Sequence, residues 1–401
     1  MATYLKKFDT HSSYEAFIGG EEYITPNVSV CVEENDLHLN DELNILTFFA
    51  EEDNSTISLN RVGTNESLEN ASLMYSTNNG GTWNNYTIGD TITLNNSGDS
   101  VKFKGTNTRL AIGTSDFHKF VMSGKFSAKG DVTSLFNNKG GDMQMSSYSC
   151  LCLFYGCGSL TKAPMLPATK LSTSCYFGMF RGCSSLTTPP ELPATTLANE
   201  CYAFMFKDCT SLTEAPELPA TTLGDYCYYS LFENCSMIEL PPELPSETMC
   251  HRCYEQMFKG CTSLTTAPEL LSISLVYGCY TRMFNGCSSL INVQDELPAT
   301  VLAGYCYQSM FQGCTSLVKA PSLPANNLAD RCYLDMFNGC SKLNYIKALF
   351  VTNPSSTYTN NWVYGVNSTG TFVKNSLAEW TTTGVNGIPE GWTVEILQTV
   401  K

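Results

Sequence analysis

The sequence has few of the residues on which common enzyme chemistry depends. Its 401 residues include only four histidines: His11, His38, His118 and His251. No Ser/His/Asp arrangement, glycine-rich phosphate loop or paired acid–base signature stands out from the repeated pattern. Basic residues are also scarce, because 23 Lys and Arg stand against 38 Asp and Glu, which gives a net charge of −15. Such a chain repels nucleic-acid phosphates, so we expect neither an enzyme nor a nucleic-acid-binding protein.

Long apolar runs are missing as well. No window of 18 apolar residues occurs, and the stretch MATYLKKFDTHSSYEAF has neither the apolar core nor the small-residue cleavage site of a secretory leader. The sequence therefore predicts a chain that is not anchored in a membrane and not exported by the usual route. A surface-type protein without export would be released by cell lysis, which favours a phage particle over a bacterial envelope.

What the sequence does contain is a repeat of 26 residues. The unit CYAFMFKDCTSLTEAPELPATTLGDY, which starts at Cys201, recurs in eight copies between residues 149 and 350, with a single step of 27. Two cysteines, a tyrosine, a phenylalanine and two leucines keep their places in it. One such unit cannot enclose a core alone, so we expect each copy to bury its apolar columns against the next. The string CYAFMF predicts one to two turns of helix, followed by a short extended piece that ends at proline.

These repeats resemble a known family. The pattern MFxGCxSLxxAP followed by LPATxL is similar to the repeats of BspA-type leucine-rich-repeat surface proteins, which occur in gut Bacteroidota, in their phages and in some protists. The resemblance covers about half of the chain and implies adhesion as the role. The fold class that it implies is mixed α+β: a leucine-rich-repeat solenoid with eight coils of about 26 residues, preceded by a small β-sandwich and an N-terminal docking segment.

The sequence divides into four segments. We expect an N-terminal virion-docking segment (1–50), a β-sandwich (51–148), the solenoid (149–350) and a C-terminal cap (351–401). The first segment is similar to N-terminal segments of virion proteins from Bacteroidota phages, which implies other virion proteins as its partners. It also predicts a short helix that begins with a capping box at Ser12 and Glu15.

Two sets of positions are candidates for ligand binding. One column holds Glu191, Glu217, Glu243, Glu269 and, across the copy with one extra residue, Glu296, which predicts an acidic ridge. Such a ridge would attract a cationic or polyhydroxyl ligand, or it would be a solvated edge. The second set is the pair of residues just after the conserved leucine, which varies between copies and includes Glu214, Glu239, Lys319 and Tyr345. Its variation suits recognition of a partner, although drift at solvated sites explains it equally well.

No cofactor and no dedicated metal site is predicted, and Ca²⁺ on the acidic ridge is the one metal candidate. The chain has nineteen cysteines, of which fifteen fall in the two repeat columns. Free cysteine behaves as a small hydrophobe, so we expect stacked, reduced thiols in preference to disulfides or zinc.

These features together predict a non-catalytic virion surface or tail-associated protein, whose repeats adhere to a protein or glycan of the host cell. One alternative is a purely structural spacer or decoration protein of the virion. Another is a BspA-like adhesin on the bacterial cell surface. A homo-oligomer is compatible with the sequence, whereas nucleic acid and membrane are not expected partners.

Overall fold

The computed structural model describes residues 44–397 and, before them, the backbone of three short strands. These are β1 (Leu5–Lys7), β2 (Tyr14–Ile18) and β3 (Glu21–Tyr23), which form an antiparallel sheet in that order. The chain divides into two compact units after Leu43. The helix predicted in this segment is wrong, because β2 is extended and pairs with both β1 and β3.

Two mostly antiparallel sheets follow and share one core. They are a six-stranded sheet of order β13-β12-β4-β9-β6-β7 and a four-stranded sheet of order β10-β11-β5-β8. The strands are β4 (Leu46–Ala50), β5 (Ser55–Val62), β6 (Leu73–Ser76), β7 (Asn84–Tyr86), β8 (Ile92–Leu94), β9 (Ser100–Gly105), β10 (Ala111–Gly113), β11 (Asp116–Ser123), β12 (Phe126–Lys129) and β13 (Leu160–Lys162). Helix α1 (Ser134–Asn137) follows β12. Phe48, Phe103 and Phe120 lie in the core with ring centroids 4.9–6.0 Å apart.

The first domain boundary differs from the one drawn on the sequence. Strand β4 lies within the segment 1–50, but it pairs with β9 and β12 of the six-stranded sheet. The two-sheet region therefore begins at Asn44, where the second compact unit begins.

The two-sheet region joins the repeats without a break in the core. The Phe120 amide donates to the Leu153 carbonyl at 2.8 Å, and the Phe120 ring stacks on Phe154 at 5.4 Å with an interplanar angle of 11°. Phe120 therefore holds the place that the phenylalanine of a preceding repeat would hold.

Each repeat begins with a series of tight turns. In the copy around Cys201, left-handed backbone recurs at every fourth residue: Glu200 (φ 56°), Phe204 (φ 58°) and Asp208 (φ 63°). The corresponding three positions are left-handed in all eight copies. Alternate amides bond in different directions, because the Tyr202 amide donates to Cys227 of the next copy whereas the Ala203 amide donates back to Glu200. The predicted helix is wrong, since a right-handed helix cannot pass through residues of positive φ.

Successive repeats stack with like side chains in register. The rings of Tyr254 and Tyr280 stack at 5.8 Å, and those of Phe258 and Phe284 also stack at 5.8 Å. The buried tyrosine column consists of Tyr176, Tyr202, Tyr228, Tyr254, Tyr280, Tyr307 and Tyr333. The expectation that each copy buries its columns against the next is confirmed.

The second cysteine of each repeat has a defined hydrogen-bond partner. Its thiol donates to the carbonyl of the column phenylalanine in the preceding copy, at 3.0–3.2 Å, and in the first copy Cys157 donates to Phe120. Burial raises the pKa of these thiols, for example of Cys209 to about 12. All cysteines from Cys150 onward are unpaired thiols.

The C-terminal end of the stack is covered by aromatic side chains. A parallel sheet follows the last repeat, formed by β14 (Tyr345–Ala348), β15 (Thr371–Asn375) and β16 (Thr393–Leu397), with helix α2 (Ser356–Thr359) between β14 and β15. Trp362 is fully buried and stacks on Tyr333 at 6.2 Å. The cap residues Phe372, Trp380 and Trp392 are buried as well.

The fold class expected from the sequence is wrong. Across the described residues, the only helices are α1 and α2, with four residues each, so a mixed α+β fold with helix-bearing coils does not apply. Regular structure is mostly β and lies in separate flat sheets. Between β13 and β14, neighbouring copies are joined by isolated bridges and turn hydrogen bonds. No continuous sheet closes these described copies into a leucine-rich-repeat solenoid. The prolines in the extended part of the repeats lack the amide proton that a ladder requires. Among all the residues that the structure describes, no helix is long and apolar enough to cross a membrane.

Candidate functional site

The extended part of each central repeat carries the sequence Pro-Glu-Leu-Pro. Side chains alternate along it, so that Pro216 and Leu218 are buried while Glu217 between them is exposed. The buried leucine column therefore anchors the segment and directs one carboxylate per repeat outward. The members of this acidic column are Glu191, Glu217, Glu243 and Glu269, all exposed.

Cavities lie between neighbouring Pro-Glu-Leu-Pro segments. Three of them, with volumes of about 450, 520 and 460 Å³, occupy successive gaps in the acidic column. The first and second cavities share Pro216, Glu217 and Pro219 as lining residues. The second and third share Pro242, Glu243 and Pro245 in the same way. The three cavities thus form one groove over four repeats, which we call the trough.

In the first three repeats of the trough, the backbone groups of the Pro-Glu-Leu-Pro segments make no hydrogen bonds within the described protein. Across the segments 190–194, 216–220 and 242–245, no amide or carbonyl bonds to another described residue. Prolines explain part of this, since they lack the N–H that a β-ladder requires. The remaining amides, such as those of Glu217 and Leu218, and the carbonyls beside them are donors and acceptors that an incoming chain can use.

The trough is acidic and has no internal counter-charge. Its lining side chains are proline, glutamate, leucine and alanine, and none is Lys or Arg. Among the described residues, no hydrogen bond or ion pair involves the carboxylates of the acidic column. Glu214, which lines the first cavity, is the fifth carboxylate of the trough.

The trough ends where the repeat length changes. The copy with 27 residues places Gln294 beside Leu270, whose amide donates to the Gln294 side-chain oxygen at 2.8 Å. The Gln294 side-chain amide donates in turn to the Glu296 carbonyl at 2.6 Å. The Gln294 side chain therefore accepts a hydrogen bond from an amide, that of Leu270, whose equivalents in the three earlier copies have no partner among the described residues. The extra residue therefore closes the groove, and Glu296 does not continue it.

An apolar patch lies at the same end. Leu271 lines the last cavity, and Ile273 and Val301 are exposed by 67% and 57% of their surface. Ile273 and Val301 belong to adjacent copies that are hydrogen-bonded there, because the Val301 amide donates to the Ile273 carbonyl at 3.3 Å.

The trough collects five of the nine residues that the sequence singled out, whereas Glu296 and three others do not line its three cavities. Glu239 is exposed, and its carbonyl accepts the Thr265 amide at 3.1 Å. Lys319 donates to Asp295 at 2.9 Å, and its ammonium lies 6.0 Å from the Tyr345 ring centroid. The hydrogen bond to Asp295 raises the pKa of Lys319.

Sequence reasoning missed the prolines and the free backbone groups as parts of the site. The recurrence of two prolines around each glutamate was a usable signal, because it predicts an edge without ladder hydrogen bonds. For metals, residues 44–397 contain no group of three or more His, Cys, Asp or Glu side chains arranged to hold an ion. A Ca²⁺ ion on the ridge would meet one carboxylate per repeat, whereas Ca²⁺ takes six to eight oxygen ligands.

Comparison with known proteins gives no match: no family model fits the chain, and neither a curated protein nor a solved structure is similar to it.

Proposed function

We propose that this protein is a non-catalytic adhesion protein of a virion surface, which holds a component of the host-cell surface along its repeats. The observation that carries the proposal is the trough, a continuous groove with the same lining at each of four repeats. A groove with a repeating lining suits an extended polymer, because each unit of the polymer meets the same contacts. The virion setting rests on the resemblance of the N-terminal segment to phage virion proteins.

The chemistry of the lining supports binding without reaction. Proline, leucine and alanine side chains supply no nucleophile, and apart from Glu214 the carboxylates lie one per repeat on an open surface. An exposed carboxylate that pairs with a cation contributes about 0.2–1 kcal/mol. Four such contacts give about 1–4 kcal/mol, which corresponds to a dissociation constant near 1 mM or weaker. Useful adhesion by this surface therefore requires many copies acting together, as on a particle.

The alternative is a spacer that binds nothing outside the particle. The observation that favours it is the continuous aromatic core, which Phe120 extends at one end and Trp362 at the other. Such a core makes the stack stiff along the repeat direction, whether or not a ligand is present. The two functions differ in what they predict for binding to cells.

Beads that carry many copies of the full-length chain test the proposal. We expect beads coated through a C-terminal biotin to bind cells of some gut Bacteroidota saturably, and the single chain to bind the same cells far more weakly. Absence of bead binding to every strain tested, together with normal adsorption of particles that lack the protein, would overturn adhesion and leave the spacer. Recovery of the native protein from the envelope of uninfected bacteria would instead indicate a bacterial adhesin.

A further inference from the structure

We propose that the trough binds an extended, basic segment of polypeptide, with one Lys or Arg side chain opposite each carboxylate of the acidic column. This inference rests on the proposed function, since it names the class of ligand for the same surface. Four observations support it: the negative charge of the trough, the distance between neighbouring repeats, the backbone groups without hydrogen-bond partners and the apolar patch at one end of the trough.

Charge complementarity selects a cationic occupant. The trough presents Glu191, Glu214, Glu217, Glu243 and Glu269, and no basic side chain lines any of its three cavities. The basic side chains of neighbouring repeats are engaged on other surfaces. Lys207 and Lys259 pair with Glu233, and Arg252 pairs with Glu255. A cation that enters the trough therefore meets carboxylates that have no competing partner in the described protein.

Spacing selects an extended chain with basic residues at alternate positions. Stacked rings place neighbouring repeats 5.6–6.1 Å apart in the aromatic columns. In an extended polypeptide, side chains on one face are about 6.6–6.8 Å apart. The mismatch is therefore about 0.5–1.2 Å per repeat, or about 1.5–3.6 Å over the three steps between four copies. Long Glu and Lys or Arg side chains can absorb a difference of that size. A run of adjacent basic residues would direct half of its charges away from the trough.

Free backbone groups favour a polypeptide over a sugar chain. The amides of Glu217 and Leu218, and their equivalents in the copies that hold Glu191 and Glu243, have no hydrogen-bond partner among the described residues. An extended peptide presents both N–H and C=O groups at a regular spacing and can satisfy them. No aromatic residue lines the three cavities, so a sugar ring would find no flat apolar face on which to stack.

The apolar patch gives the bound segment a direction. Leu271, Ile273 and Val301 lie beyond the last carboxylate, at the end that Gln294 closes. A large apolar side chain after the last basic residue would cover Ile273 and Val301, whose exposure otherwise costs free energy. The recognised segment is therefore basic at alternate positions and apolar at one end.

Fluorescence anisotropy with labelled octapeptides and the full-length chain tests this inference. The two probes are the peptides KTKTKTKT and KKKKTTTT, which have equal charge and composition. We expect the alternating peptide to bind about tenfold more tightly at low salt, and salt at about 1 M to abolish the difference. The variant E217Q/E243Q should weaken binding of the alternating peptide about tenfold. The control variant E379Q/E390Q, which removes two exposed carboxylates outside the trough, should leave binding unchanged.

Three results would overturn the inference: equal affinity for the two peptides, no effect of E217Q/E243Q, or displacement of the bound peptide by a neutral β-1,4-linked glucose hexasaccharide. The last result would assign the trough to a glycan. The bead experiment and the peptide experiment distinguish failure of the proposed function from failure of this inference. If beads adhere to cells while the peptide experiment fails, only the ligand class is wrong. If the peptide binds as expected while beads adhere to no cells, adhesion is wrong.

Discussion

The thiol of Cys209 donates a hydrogen bond to the carbonyl oxygen of Phe180, 3.1 Å away in the preceding repeat. The same oxygen accepts the Cys183 amide at 3.0 Å. The second cysteine of each repeat thus joins neighbouring copies through a buried carbonyl that already has one partner. The first cysteine has a different environment, because Cys201 is equally buried but its thiol donates no hydrogen bond to another described residue. The two cysteine columns therefore differ in whether the thiol donates a hydrogen bond to a carbonyl of the preceding copy.

Replacement of one cysteine from each column isolates that interaction. Cys209→Ala and Cys201→Ala both remove a fully buried sulfur atom, but only the first removes a hydrogen bond that the thiol donates to a described residue. We expect Cys209→Ala to be less stable than Cys201→Ala by about 0.5–1 kcal/mol, because a thiol is a weak donor and the carbonyl keeps its amide partner. Urea unfolding of the two variants measures the difference. Equal losses would show that the thiol packs as a plain hydrophobe.

Thiol reactivity should single out Cys250. It is the one partly exposed cysteine within residues 44–397, and burial raises its pKa, with a further contribution from Asp225. We expect one fast-reacting thiol in native Cys31→Ser protein treated with a disulfide reagent, and a faster rate as the pH rises above 9, because only the thiolate reacts. The additional change Cys250→Ser should remove the fast phase. Several fast thiols in that variant would mean that the columns open readily.

The stacking of the repeats could be predicted from the sequence, whereas the path of the backbone within each repeat could not. Tyr202 and Phe206 recur at fixed spacing, and fixed spacing suffices to predict that like residues stack. The string CYAFMF has helix-compatible residues and gives no sign that Phe204 is left-handed, since phenylalanine rarely adopts positive φ. The Phe204 amide donates to the Tyr229 carbonyl of the next copy, and this contact between copies supports that conformation. Glycines at the third left-handed position, such as Gly182 and Gly260, were the available signal.

The repeat period predicted part of the candidate site but not the contacts that depend on the copy with one extra residue. The period places Glu217 and Glu243 in one column, and their alternation with buried leucines directs both outward. The position of Lys319 near Asp295 depended on the copy with one extra residue, whose course the period does not specify. Gln294 closes the trough through two hydrogen bonds that no sequence pattern indicates.

Gly313 should be sensitive to substitution through its backbone alone. It has a φ of 75°, and an added Cβ would meet only Gly286 atoms at 3.6 and 3.7 Å, which is ordinary contact. We expect Gly313→Ala to cost about 1–2 kcal/mol, the price of left-handed backbone for an L-residue. Gly304→Ala is the matched control, because Gly304 is not left-handed and its Cβ would lie 3.5 Å from Tyr277. Thermal unfolding should separate the variants, and similar stabilities would contradict the role of φ.

Glu233 should make stability depend on pH in the acid range. Its side chain is 5% exposed and accepts hydrogen bonds from Lys207 at 2.6 Å and Lys259 at 2.8 Å. Burial raises the pKa of Glu233, but the two lysines outweigh burial and hold it below the usual 4.5. A lowered carboxyl pKa contributes stability at neutral pH that is lost as the pH falls below about 4.5. We expect Glu233→Gln to lower the free energy of unfolding by about 1–3 kcal/mol at pH 7.

The pH profile distinguishes this effect from a change in packing. The stability gap between the wild-type chain and Glu233→Gln should narrow below pH 4.5, as the wild-type carboxyl becomes protonated. Glu239→Gln serves as the control, because the Glu239 side chain is exposed and unpartnered in the described structure. A gap of constant size from pH 7 to pH 3 would mean that the two ion pairs contribute nothing.

Trp362 should determine how well the last repeats are held in place. It is fully buried, stacks on Tyr333 at 6.2 Å, and donates from its indole nitrogen to the Gly387 carbonyl at 2.9 Å. Trp362→Ala should cost about 3–5 kcal/mol, as expected for deletion of a large buried ring. Since each repeat contacts only its neighbours, the loss of hydrogen-exchange protection should be greatest around Tyr333 and fade towards Tyr202. Trp83→Ala, which removes a half-buried ring that contacts Lys104 in the two-sheet region, should leave protection of the last repeats unchanged. Uniform loss of protection along the stack after Trp362→Ala would show that the repeats unfold as one cooperative unit, with no separate contribution from the cap.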